Sequence, residues 1–388
     1  MLKSEKNLGA TGASKAEKPK WYKRLIFTIP ILLLVFAALV TLSLLITSTL
    51  LDANHGYSSR WFGDVASGAV NVWQTLAEYR IPRTLSVIAA GAGMSICGLI
   101  MQTITNNKFV SPMTTGTLDG ARLGTLLAVM IIPTMGFFLQ GLLTFVVTFI
   151  VSMAFIFMAE RLKVKDATFL PLIGIIFGGV IAAITTIIAL QSDGGMQILS
   201  ERLLGTFTLT LAGWDVWAPI IVITVFVAIA YIFANWFMIA GLGEGVSKNL
   251  GLNYRLTVNV GLGIVSLITA AVLVLAGSFP FLGLVVPNMV SLYMGDNIKK
   301  SLPITAIFGA IFLLIADILA RVVLAPIEIP AGVVVGVGGA GIFILLLLLQ
   351  GKKTEIKELI EKIKINLHLK KAESMLQEKA NKEGEANE

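Results

Sequence analysis

The chain has 388 residues, of which 56% are hydrophobic and 14% charged, against roughly 45–50% and 25% in soluble domains. That composition excludes an ordinary soluble fold and describes a polytopic membrane protein. A net charge of +7 would suit nucleic acid, but the basic residues gather in tails and short loops, the bias expected of cytoplasmic loops, so no nucleic-acid partner is expected.

Residues 1–24 carry Lys3, Lys6, Lys15, Lys18, Lys20, Lys23 and Arg24 among small residues and read as a disordered basic cytoplasmic tail. The apolar run 25–51 is too long for a signal-peptide core and no small-residue cleavage site stands out, so it reads as an uncleaved first span directed outward. Residues 52–83 form an external segment in which Trp61 and Trp73 suit the membrane interface. Arg80, Ile81, Pro82 and Arg83 then open a second apolar run, 84–101, close to the roughly 20 residues a bilayer demands. Its Ala89, Gly93 and Cys97 form a small-residue face for close helix packing. The run breaks at the inner surface into Gln102, Thr103, Thr105, Asn106, Asn107 and Lys108.

Further spans follow at 118–135, 141–159, 170–190, 219–239, 256–276, 279–294, 302–324 and 332–349, with an amphipathic external piece at 198–204. Arg161, Lys163 and Lys165, then Lys299 and Lys300, then Lys352 and Lys353 mark inner loops. The expectation is an all-α integral membrane protein of about ten transmembrane helices with both termini cytoplasmic. Its membrane domain covers 25–351, and 352–388 form a charged cytoplasmic helical tail. Ile356, Leu359, Ile360, Ile363 and Leu367 give that tail one apolar edge, which suits either a solvated helix or one lying on the inner leaflet.

Nothing in the chain carries catalysis. There is no phosphate-binding loop, no H-E-x-x-H and no G-x-S-x-G. The lone Cys97 makes no disulfide framework, and His55 and His368 are too far apart in sequence to suggest a metal site. Transport remains. A charge at the centre of a bilayer costs roughly 2.5–3.5 kcal/mol on insertion scales, so the few intramembrane ones need partners. Asp317 and Arg321, four residues apart, and Asp119 and Arg122, three apart, read as structural ion pairs. No series of buried carboxylates offers a proton relay, which weighs against the alternative of an ion-coupled secondary carrier or facilitator for a small solute. Gly241, Gly243, Glu244, Gly245, Lys248 and Gly251, with Val246 and Leu250, make a polar inner loop. It suits either a short amphipathic peg for a cytosolic partner or a plain connector.

Several ordered motifs carry a resemblance. They are R-I-P-R at 80–83, G-L-I-M-Q at 98–102 and N-x-x-V-x-P at 107–112, then F-L-G-L-V-V-P at 281–287, G-D-N at 295–297, L-I-A-D-I-L-A-R at 314–321 and E-I-P-A-G-V-V at 328–334. Together they resemble the FecCD-type permeases of binding-protein-dependent importers for iron-siderophores, haem and cobalamin, over residues 25–349. The resemblance implies a permease of the cell membrane that moves a ferric siderophore inward. It implies a second permease subunit, cytosolic ATPase subunits that hydrolyse the ATP, and an extracellular or periplasmic substrate-binding protein, with no cofactor bound by this chain. By the same resemblance Arg80, Arg83 and Arg321 dock the binding protein, Gly243, Glu244, Lys248, Leu250 and Gly251 couple to the ATPase, and Asn107 and Phe109 belong to an inner gate. Lys108, Asn288 and Ser291 depart from the family's usual proline, histidine and arginine, and Asp119 and Arg122 occupy a stretch that is usually small and uncharged. These departures resemble the branch for ferric catecholates such as anguibactin or petrobactin, whose two permeases are non-identical.

Overall fold

The computed structural model describes residues 20–45, 76–131, 137–161, 169–192, 194–207, 213–295, 297–324 and 327–349. These residues are helical apart from short connections, and twelve helices can be followed among them. They are α1 Lys20–Leu45, α2 Ile81–Ile104, α3 Thr117–Ile131, α4 Phe137–Arg161, α5 Phe169–Leu190 and α6 Gly195–Leu203, then α7 Trp214–Ala240, α8 Glu244–Asn249, α9 Tyr254–Ala276, α10 Leu282–Met294, α11 Ile298–Val322 and α12 Ala331–Leu349. Ten of them match the ten apolar runs of the sequence; α6 and α8 are the short pieces at 198–204 and in the polar inner loop. Helix α1 begins at Lys20, inside the stretch read as a tail. The remaining expectations for 1–19, 46–75 and 350–388 lie outside the described residues.

The chain divides into two units, Met1–Val335 and Gly336–Glu388. In the second, the described residues are the apolar continuation of α12 to Leu349. The first is organised around α2. A turn at Leu76–Arg80 feeds it, Pro82 sits where a helix tolerates the missing N–H, and 83% of its most apolar window is buried, against 22% for α5 and α7.

Two seams on α2 explain that enclosure. The small-residue face read from the sequence meets α7 and α9: a Cβ on Gly93 would lie 2.9 Å from both Ile223 and Ile268, and Cys97 Sγ lies 3.7 Å from the Val265 carbonyl. A second seam, not anticipated, runs through Gly91 and Gly98. A Cβ on Gly91 would lie 2.5 Å from the Gly309 carbonyl of α11, and one on Gly98 would strike the backbone of Gly283 in α10. Backbones approach at these points because no side chain intervenes.

The second seam also fixes depth. Helix α2 is about 36 Å long at 1.5 Å per residue, and Gly283 rests against Met94 and Gly98, well inside its length. Helix α10 therefore starts within the bilayer, after an irregular stretch in which Gly277 (φ 87°) and Phe281 (φ 63°) take left-handed conformations. Irregular backbone is tolerated at that depth only where protein or water satisfies it. Here Thr206 N donates to the Ala276 carbonyl at 2.7 Å and Gly332 N to the Gly205 carbonyl at 2.8 Å, while Phe207 stacks on Phe279 with centroids 5.3 Å apart.

Candidate functional site

With the Lys-rich ends taken as cytoplasmic, α2 runs inward and α11 outward, so Arg83, Asp317 and Arg321 meet at the outer end. Arg321 Nη2 lies 2.6 Å from Asp317 Oδ2, across one helical turn. The other carboxylate oxygen, Oδ1, accepts from Arg83 Nη2 at 2.9 Å. Arg83 Nη1 in turn reaches both oxygens of Glu328, at 3.2 and 3.1 Å. Arg321 also donates to the Ser43 carbonyl at 3.1 Å and to Ser43 Oγ at 2.8 Å, and Ser43 Oγ lies 3.1 Å from Thr84 Oγ1. Two cations and two anions thus join α1, α2, α11 and the connector before α12. Their side chains are 0–14% exposed, so each charge is balanced inside the cluster, the condition for tolerating burial. Glu328 and Ser43 were missed as members because their partners are remote in sequence, although Glu328 sits in one of the quoted motifs. Arg80 donates to the Leu44 carbonyl at 2.9 Å.

A second ion pair lies deeper. Arg122 Nη1 is 2.9 Å from Asp119 Oδ1, and Arg122 Nη2 donates to Ser278 Oγ at 3.0 Å, in the irregular stretch before α10. Ser278 carried no sequence signal as its partner.

At the inner end, a cleft of about 330 Å³ lies between the ends of α2, α7 and α10 and the start of α11. Asn107 lines it together with Gln102, Lys108, Gly241 and Ser291. Asn107 Oδ1 accepts from Phe109 N at 2.9 Å, which closes a side-chain turn of the kind asparagine favours, just after Asn106 at φ 47°. Phe109 is not among the lining residues. Asn288 Nδ2 donates to the Lys108 carbonyl at 2.8 Å and Lys108 Nζ lies 3.5 Å from Ser291 Oγ, so the three departures from the usual motif meet at one place.

The cleft borders the polar inner loop, where α8 forms a helix of under two turns. Gly243 (φ 94°) and Gly251 (φ 78°) occupy conformations that favour glycine. Lys248 Nζ lies 2.8 Å from Glu244 Oε1, and that bond with the lysine's charge holds the Glu244 carboxyl below its usual range. Leu242, Val246 and Leu250 are exposed beside the pair, an apolar edge of the kind a partner helix or groove accepts. Among the described residues no group of three or more His, Cys, Asp or Glu side chains could hold a metal; His55 and His368 lie outside them.

A model of the FecCD transport family matches residues 27–349. The chain is 45% identical over 274 residues to the petrobactin import system permease protein YclN of Bacillus subtilis (strain 168), covering 71% of this chain and 86% of that one. It is 34% identical over 281 residues to the ferric-anguibactin transport system permease protein FatD of Vibrio anguillarum, covering 72% and 88%. A solved structure described as an inward-facing conformation of a metal-chelate type ABC transporter superposes with a TM-score of 0.66 at 22% identity, covering 84% of this chain and 99% of that one.

Proposed function

This chain belongs to the FecCD transport family, and we propose that it carries a ferric siderophore inward in concert with a non-identical second permease, a substrate-binding protein and cytosolic ATPase subunits. It is a multi-pass membrane permease of an ABC importer for iron chelates and a non-catalytic component of that system. The names of its petrobactin and anguibactin relatives support a ferric siderophore of the catecholate branch as cargo. ATP is bound and hydrolysed on the partner subunits, and this chain holds no cofactor.

The observation that carries the coupled mechanism is α8. An exposed short helix with Val246 on it and Leu242 and Leu250 flanking it, all three facing solvent beside the inner cleft, suits a peg seated in a cytosolic ATPase. Gly243, Glu244, Lys248, Leu250 and Gly251 would form that contact. Asn107 and Phe109, in the loop beside the cleft, would act as the inner gate. On the outside, Arg80, Arg83 and Arg321 would present positive charge to carboxylates of the binding protein, arginine being suited to bidentate carboxylate contact. Arg83 and Arg321 are largely enclosed by Asp317 and Glu328.

The test is uptake of ferric chelate by the assembled importer in lipid vesicles. Uptake should stop with a non-hydrolysable ATP analogue and should be indifferent to ionophores. Uptake that persists with the analogue and collapses with an ionophore would overturn the proposal in favour of an ion-coupled carrier.

A further inference from the structure

The Asp119–Arg122 pair lies within the bilayer, in the first two turns of α3. Thr115 Oγ1 sits 3.8 Å from Met101 Sδ, near the inner end of α2, and α3 then rises outward through Asp119 and Arg122. From the other side, Arg122 reaches Ser278, two residues past the outer end of α9, so its guanidinium extends outward from the level of Asp119. Asp119 and Arg122 stand roughly 6 and 10 Å above the level of Thr115 at the standard helical rise.

At that depth the pair is not sealed. The Arg122 side chain is 20% exposed and that of Asp119 16%. Charged groups facing hydrocarbon are costly, and those found within membranes face a bundle interior or water. The pair also has a direction. Asp119 is backed by α5, since a Cβ on Gly178 would lie 2.6 Å from its Oδ2, while the guanidinium extends away from α5 toward the irregular stretch. Arg122 Nε is buried without a hydrogen-bond partner among the described residues, so the exposed part of the guanidinium is its Nη end. Although the pair is neutral overall, an anion arriving beside it meets the guanidinium end.

We infer that this face of α3 lines a water-filled translocation path and that Arg122 is a contact for an anionic ferric chelate within the bilayer. The location follows from the geometry; the nature of the cargo rests on the reading of the chain as an iron-chelate permease. Asp119 holds Arg122 in place and cancels its charge at rest, so that the chelate is drawn without being trapped. The same balance of entry against release governs charged groups in other membrane pores.

Leu123, partly exposed on the same stripe of α3, offers a probe that does not depend on the cargo. The chain's one cysteine, Cys97, is buried. In the assembled importer in lipid vesicles, Leu123→Cys should react with water-soluble methanethiosulfonates, followed by the mass of the peptide carrying residue 123. The rate ratio of the anionic sulfonatoethyl reagent to the cationic trimethylammonioethyl reagent should rise about tenfold when Asp119→Asn is added, and fall about tenfold with Arg122→Gln, the lower end of the range for electrostatic focusing in clefts. Should Arg122→Gln fail to assemble, Asp119→Asn carries the comparison alone. No reaction with either reagent, or a ratio blind to both substitutions, would overturn the inference. Radioactive iron uptake from a ferric tris-catecholate separates the two readings: reaction as expected with no uptake overturns the cargo and upholds the lining, whereas uptake with Leu123→Cys unreactive overturns the lining.

Discussion

Two acid–base pairs in this chain have the same spacing and order, Asp317 with Arg321 and Glu244 with Lys248, yet they serve opposite ends of the physics. The first is buried, with side chains 0% and 4% exposed, and it recruits Arg83 and Glu328 until every charge is balanced. The second stands in water at 48% and 64% exposure and recruits only the long-range charge of Arg255. What differs is the cost of losing a partner. In a low-dielectric site a single unpaired charge is a large penalty, whereas in water the same charge is simply solvated. Hence the outer cluster acts as a fastening between helices, and α8 keeps its groups available to something else.

The largest effect expected from that contrast is Asp317→Asn. It leaves Arg83 and Arg321 with one shared carboxylate fewer and should destabilise the permease by about 3–5 kcal/mol, measured as thermal or denaturant unfolding in detergent. Asp317→Asn with Arg321→Gln should recover part of the loss, because Arg83 then retains Glu328; the non-additivity is the signature of one network. Strictly additive losses would dissolve the cluster into independent contacts and erase the contrast with α8.

The next effect separates fastening from docking. Arg83→Glu would set a third carboxylate beside Asp317 and Glu328 and should damage folding as well as binding. Arg80→Glu loses a donor to the Leu44 carbonyl rather than two ion pairs, so it should cost less stability than Arg83→Glu and slow binding-protein association about tenfold at low salt, with the difference shrinking as salt rises. The measurement is an association rate across a salt series. An unchanged rate for Arg80→Glu would return this arginine to the role of anchoring the outer end of α2 to α1.

How much of this was legible in the sequence follows the range of each interaction. The Asp317–Arg321 and Asp119–Arg122 pairings could be read because helical spacing brings those residues together whatever the rest of the fold does. That Arg83 and Glu328 complete the outer cluster, and that Ser278 receives Arg122, depends on which helices are neighbours, and a single sequence does not encode that in any local pattern. Hydropathy found the apolar runs that became ten helices, but it reports length and not depth. Thus 279–294 reads as a span, while the start of its helix against Gly98, well inside the bilayer, has no hydropathy signal. The Ala89, Gly93 and Cys97 face was visible by spacing, whereas the closer Gly91 and Gly98 crossings were not distinguished from it, since glycine on a membrane helix marks close approach without naming the partner. Of the site residues, those in motifs were singled out, and the cleft that joins Asn107 and Lys108 to Ser291 emerged only from packing.

A smaller effect is expected at α8. Glu244→Lys should leave insertion and stability unchanged, because the group is solvated, and should weaken association with the ATPase, read as a drop in co-purified stoichiometry. Retained stoichiometry with undiminished transport would make the loop a plain connector.

The smallest effect is a pH dependence whose direction follows from the same pair. The Glu244 carboxyl is held below its usual range first by the hydrogen bond from Lys248, then by that lysine's charge and by Arg255. A carboxyl whose folded value is depressed contributes fully above its unfolded value, near 4.3, and that contribution fades as pH falls through the lower folded value. From neutrality down to about pH 5 nothing should change at this pair. Because the ATPase has its own titrating groups, the quantity to follow is the ratio of association constants for the unmodified chain and Glu244→Gln at each pH. The ratio should be flat across the neutral and weakly acidic range and drift toward one only below the ordinary carboxylate range, where protonation makes the two side chains alike. Convergence at a pH above that range would mean that the carboxyl is raised by burial when the ATPase seats on α8. The exposed pair would then be exposed only in the free permease, and the contrast with Asp317 would narrow on assembly.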